Sequence, residues 1–109
     1  MIYELRAYRV MPGKMPGLLK RFENTTLEIW KRHGICPVGF WTTMIGESNH
    51  VLTYMLAWES LAEREKKWTA FHADPEWITK RRESETKDGP FVGTLSNQIL
   101  QPTSFSSLK

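Results

Sequence analysis

The chain has 109 residues, 40% hydrophobic and 25% charged, which suits one domain with a single core and is too short for two. Its formal charge of +3 is not laid out as a basic stripe with a recognisable reading motif, so nucleic acid is not an expected partner. A lone cysteine, Cys36, rules out an internal disulfide and reads as a small hydrophobe in a reducing compartment. No apolar run reaches membrane-spanning length and no presequence is evident, so no membrane span and a cytoplasmic location are expected.

The first element is a strand, Ile2 to Val10, with Tyr3, Leu5 and Ala7 on one side and Ile2, Glu4, Arg6, Tyr8 and Val10 on the other. Both sides carry bulk. A face that mixes Ile, Tyr and Val with Glu and Arg is neither a wet surface nor a dry core, and points to a lined cavity or an interface. Pro12-Gly13 ends the strand. Met15, Leu18, Leu19, Phe22, Thr26, Ile29, Trp30 and His33 then recur at helical spacing until Gly34, with Lys20, Arg21, Asn24, Glu28 and Lys31 on the opposite, solvent side. Pro16 is tolerated because it falls in the first turn.

Cys36 to Ile45 and His50 to Trp58 are rich in β-branched and aromatic residues, and the four-residue Gly46-Glu47-Ser48-Asn49 between them predicts a hairpin. Neither face of it is polar, so the hairpin is expected to be central in the sheet. Ser60-Leu61-Ala62-Glu63 has the capping-box form and starts a second helix that runs to about His72. Asp74-Pro75-Glu76-Trp77 restarts a helical turn. Thr86 to Gly93 reads as turn, and Leu95 to Gln101 as the closing strand. The tail from Thr103 to Lys109 is expected to fray unless Phe105 and Leu108 find a pocket on a partner.

The order is βαββαβ, an α+β chain with a four-stranded antiparallel sheet. Two helices roof only one side of such a sheet, and the other side also reads as apolar. The chain is therefore expected to be half of an object completed by a second copy.

Met1-Ile2-Tyr3-Glu4-Leu5-Arg6, Pro12-Gly13-Lys14, Gly39-Phe40-Trp41-Thr42-Thr43, Ile45-Gly46, Trp58-Glu59-Ser60-Leu61-Ala62-Glu63-Arg64 and Ala73-Asp74-Pro75-Glu76-Trp77 occur in an order that resembles the NIPSNAP family over essentially the whole chain. The resemblance implies a ferredoxin-like domain of the dimeric α/β-barrel superfamily, with two sheets facing each other inside and the helices outside. The family has no settled enzymatic activity. Its animal members are linked to trafficking and mitophagy and carry transit segments, so this sequence looks like a bacterial-type single-domain member. Met44 stands where the family commonly has an acid and His50 where it commonly has an amide.

Glu4, Arg6 and Tyr8 share a strand face at steps of about 7 Å and could converge on a polar ligand tip, although a structural Glu4–Arg6 pair is the simpler account. Trp41, Tyr54 and Trp58 are the residues expected to wall an aromatic pocket, with core packing as the plainer alternative. Arg64 and Trp68, four apart on one helix, suggest a surface cation over a ring. His33, His50 and His72 show no metal-ligand spacing, so no metal site is expected. His72, on the inward arc beside Leu61 and Trp68, is the strongest candidate for a proton-transfer residue or a haem ligand, with His50 the weaker one. No cofactor is otherwise indicated.

The function expected from this sequence is binding of a small aromatic or acyl molecule between sheet and helices of a homodimer, with Arg6, Tyr8, Trp41, Tyr54 and Trp58 around it. The alternatives are a cofactor-independent monooxygenase or isomerase, as the superfamily resemblance permits, and a protein-interaction module that docks through Lys80-Arg81-Arg82 and the tail.

Overall fold

The computed structural model describes residues 1–109. Four strands, β1 (Ile2–Val10), β2 (Cys36–Thr42), β3 (Val51–Trp58) and β4 (Val92–Leu100), form one antiparallel sheet in the order β2-β3-β1-β4. Two helical layers connect them: α1 (Met15–Arg21) and α2 (Leu27–His33) after β1, and α3 (Leu61–His72) and α4 (Pro75–Asp88) after β3. This is the ferredoxin-like α+β arrangement expected from the sequence.

The core lies between the helices and one face of the sheet. Leu52, Tyr54, Leu56 and Trp58 of β3 pack there with Leu18, Phe22, Ile29, Trp30, Phe71 and Trp77 of the helices. The alternate residues of β3 are half-buried, because strand residues point to opposite faces and no helix covers the second one. By register, that second face carries Tyr3, Leu5 and Ala7 of β1 opposite Ala57, Met55 and Thr53 of β3.

Several elements depart from the sequence expectations. The long first helix is not continuous: Phe22–Thr26 forms a π-helical turn between α1 and α2, in which the Leu27 amide donates to the Phe22 carbonyl. The hairpin connection is longer than four residues, with the loop extending from Thr43 to His50 between the ends of β2 and β3, and Met44 and Ile45 stand 93% and 92% exposed within it. β2 is an edge strand and not a central one. The restarted helix continues to Asp88, through residues expected to turn, and β4 begins at Val92. Cys36 is exposed, so it does not pack as a small hydrophobe.

The caps behave as their chemistry requires. Ser60 Oγ accepts from the Glu63 amide at 3.1 Å, while the Glu63 carboxylate accepts from the Glu59 amide at 3.2 Å, one residue ahead of the expected cap amide. Asp74 caps α4 by accepting from the Glu76 amide at 2.8 Å. Its second oxygen pairs with His33 Nε2 at 2.7 Å and with Arg32 at 3.2 Å, which ties the end of α2 to the start of α4. Gly34 ends α2 at φ 72°, a conformation that side chains with a Cβ rarely adopt.

Candidate functional site

On the helix-covered face of β1, Glu4, Arg6 and Tyr8 stand in line, and each meets a different requirement of burial. The Glu4 side chain is 0% exposed, and a buried carboxylate persists only when its lone pairs are filled. They are: Arg64 donates from Nε at 2.8 Å and from a terminal nitrogen at 3.0 Å, Arg6 at 2.9 Å, Asn97 at 2.9 Å and the Trp58 indole at 3.1 Å. Burial alone pushes this carboxyl up, but the donors from Arg64, Asn97 and Arg6 outweigh it and hold its pKa at about 2.

Arg6 is therefore paired, as the structural reading of the sequence had it. It also donates from Nε to the Tyr54 hydroxyl at 2.7 Å and lies 4.9 Å over the Trp68 ring. That ring is occupied by Arg6 and not by Arg64, which turns inward to Glu4. The Tyr8 and Tyr54 hydroxyls are 2.7 Å apart. Burial, and then the neighbouring Tyr8, raise the pKa of Tyr54, so the Tyr54 phenol stays protonated near neutrality.

Beside this network, a cavity of about 170 Å³ opens between the sheet and the helices. Arg6 and Tyr8 contribute from β1, Arg21, Phe22, Thr26 and Trp30 from the first helical layer, Trp68, Phe71 and His72 from α3, and Trp77, Arg81 and Glu85 from α4. Leu95, 53% exposed, stands at its open side on β4. The π-helical turn is part of the wall: it widens one turn of the helix, and Phe22 and Thr26 at its two ends both line the space. Such turns recur at binding and catalytic sites because they re-aim side chains without breaking the helix.

Two residues of this lining carry a polar atom that is buried without any hydrogen-bond partner, Arg21 at Nε and Trp30 at Nε1. Arg21 is otherwise held firmly, with one terminal nitrogen 3.1 Å from Ser84 Oγ and the guanidinium over the rings of Trp77 and Phe91 at 5.4 Å and 4.9 Å. Buried N–H donors without acceptors are rare in native proteins. Here both belong to one cavity.

The residues expected to form the site divide into three groups. Arg6, Tyr8 and His72 line the cavity. Tyr54 is fully buried behind it and reaches it through Tyr8. Trp41, Trp58 and His50 do not take part. Trp41 pairs in register with Thr53, on the sheet face away from Tyr54, is 52% exposed and covers Gly39 so closely that a Cβ there would meet its ring at 2.9 Å. Trp58 is a core residue whose indole serves Glu4, and His50 is an exposed loop residue whose carbonyl accepts from the Val10 amide. Arg21, Trp30, Trp77 and Arg81 are cavity residues that sequence reasoning did not place there.

His72 sits at the rim. Desolvation against the neighbouring aromatic rings, and then the charges of Arg6 and Arg81, lower its pKa. A cavity of about 170 Å³ is below the ~300–1,000 Å³ of drug-sized sites and gives a haem-ligand role for His72 no support. No group of three or more His, Cys, Asp or Glu side chains is arranged to hold a metal ion, and no helix is long and apolar enough to cross a membrane.

Residues 3–107 match the NIPSNAP family model. Two solved structures are similar along nearly the whole chain. A NIPSNAP family protein with unknown function from Agrobacterium tumefaciens is 31% identical with a TM-score of 0.86, the match covering 100% of this chain and 94% of that one. An uncharacterized NIPSNAP domain protein from Burkholderia xenovorans is 24% identical with a TM-score of 0.83, over 97% and 98% of the two chains. A candidate antibiotic biosynthesis monooxygenase from Nitrosomonas europaea shares the fold at 10% identity and a TM-score of 0.62, over 94% and 98%. No curated protein matches the chain.

Proposed function

The chain belongs to the NIPSNAP family, and on that premise we propose that it is a homodimeric binding protein that holds a small aromatic or acyl molecule between its sheet and its helices. One observation carries this: the cavity walled by Phe22, Trp68, Phe71 and Leu95 is also lined by Arg21 and Trp30, each of which carries a buried N–H that no protein atom satisfies. Leaving such a donor unmet costs roughly 1–3 kcal/mol, and a bound acceptor removes that cost. The test is a titration of intrinsic tryptophan fluorescence with aromatic and fatty-acyl compounds. Saturable change supports the reading, and a silent protein across the series refutes it.

The second copy is argued from the sheet. The β2-β3-β1 part of its helix-free face carries Leu5, Ala7, Met55, Ala57 and Trp41, an apolar surface of the kind that soluble proteins cover. A dimer in solution at micromolar concentration supports the pairing; a monomer with that face wet refutes it.

A second reading is a cofactor-independent monooxygenase or isomerase, with His72 as the base. Its lowered pKa keeps the imidazole neutral near pH 7 and able to accept a proton. Aerobic turnover of a quinol-like substrate that disappears in His72→Ala supports it. Turnover that survives the substitution removes His72 from the role.

A further inference from the structure

The donors on the cavity wall outnumber what the protein offers them. Arg6 is an obligate donor, so the Tyr54 oxygen accepts its Nε–H at 2.7 Å. Tyr54 is 0% exposed and its only other hydroxyl partner is Tyr8. Its own proton therefore goes to the Tyr8 oxygen, since otherwise it would be buried without an acceptor. Tyr8 also receives a long contact of 3.5 Å from Arg6. The Tyr8 proton is left over, on a side chain that lines the cavity. Together with Arg21 Nε and Trp30 Nε1, that makes three donors without acceptors on residues that line one cavity.

The charges agree. Arg6, Arg21 and Arg81 line the cavity against a single carboxylate, Glu85, which stands 3.9 Å from Arg21 and 3.6 Å from Arg81. Behind the wall, the single Glu4 carboxylate is shared by Arg6 at 2.9 Å and Arg64 at 2.8 Å. The lining thus holds an excess of positive charge in a partly desolvated setting, where a neutral ligand would leave that charge unanswered and an anion would answer it. Phe22, Trp68, Phe71, Trp77, Val92 and Leu95 supply an aromatic and aliphatic part of the wall.

We infer that the cavity selects a carboxylate, a small aromatic or acyl acid whose carboxylate oxygens take up the unpaired donors of Trp30, Arg21 and Tyr8 while its apolar body lies against Phe22, Trp68 and Leu95. This rests on the binding reading above and names its ligand class.

The experiment compares acids with neutral isosteres on the full chain by calorimetry: benzoate and phenylacetate against benzyl alcohol, and octanoate against octanol. The acids bind at least about tenfold more tightly, as expected for hydrogen bonds to a charged group. Trp30→Phe, Arg21→Gln and Tyr8→Phe each narrow the gap between acid and alcohol by about tenfold. Tyr8→Phe keeps the ring at a half-buried position, so the question remains answerable if either of the other variants does not fold. Equal affinity for acid and alcohol overturns the carboxylate assignment and leaves the binding reading standing. Absence of binding by all the compounds overturns both.

Discussion

Arg64, on α3, reaches the Glu4 carboxylate of β1 through two hydrogen bonds of 2.8 and 3.0 Å. The contact clamps a helix to the sheet at a point from which solvent is excluded. Truncating a buried ionic partner strands the others, so Glu4→Ala leaves Arg6 and Arg64 without their shared counter-charge and is expected to cost about 3–5 kcal/mol. Chemical denaturation of the two proteins measures the difference, and a loss below about 1 kcal/mol would mean that the cluster is screened like a surface pair.

The same carboxylate sets an acid limit. Its folded pKa is lowered from 4.5 to about 2, so its contribution to stability is complete above pH 4.5 and disappears as pH falls toward 2. Asp74 acts in the same direction: the bond from His33, and after it the amides of Glu76 and Trp77 and the Arg32 side chain, hold its pKa at about 2 against 3.8. Thermal midpoints recorded downward from pH 5 should fall steadily through this window. Flat midpoints between pH 4.5 and 2.5 would show that neither acid is selectively stabilised in the folded state.

Ser60 is the only side chain that accepts from the Glu63 amide at the start of α3. Ser60→Ala is expected to lower stability by about 1 kcal/mol, while Ser60→Asp restores it. Equilibrium unfolding distinguishes the three.

Of the five tryptophans, Trp30, Trp68 and Trp77 line the cavity. Trp41 and Trp58 do not. A ligand-dependent emission change should therefore persist in Trp41→Phe and shrink in Trp68→Phe. The reverse result would move the ligand to the far side of the sheet.

Leu5 and Met55 face each other in register on the helix-free side of the sheet. If two copies close over that side, Leu5→Arg together with Met55→Lys should produce a folded monomer by light scattering, because charges brought into an apolar interface are costly when unpaired. A dimer that survives both changes is held elsewhere.

The fold could be read from the sequence because its strand segments are rich in β-branched and aromatic residues between clear breaks, and because its caps are strong. Ser60 and Asp74 mark helix starts by side-chain chemistry that does not depend on the rest of the molecule. The cavity was harder to see. At 100° per residue Arg21 falls on the solvent side of a straight helix, yet it lines the cavity at the entry to the Phe22–Thr26 turn, and a π-turn leaves no periodic mark in the sequence. The opposite wall was hidden for another reason. In α4 only Trp77 is buried, so the recurrence of Trp77, Arg81 and Glu85 on one side carries almost no hydrophobic pattern, and a helix of this kind resembles a polar loop. Trp41 and Trp58 show the reverse error, since aromatic identity alone does not indicate which side of a strand faces which neighbour.

Because β1 is an inner strand, Tyr3 is bonded on one side to the strand holding Ala57 and on the other to the strand holding Leu100. Of the four strands, the one made first must wait for the one made last. Contacts this remote in the chain slow the search for the native pairing, and until Arg64 and Asn97 have been synthesised the Glu4 carboxylate lacks the three hydrogen bonds they donate. Assembly of the sheet is thus a late, concerted event, and a nascent chain halted before β4 would expose an unzipped edge that invites the wrong neighbour.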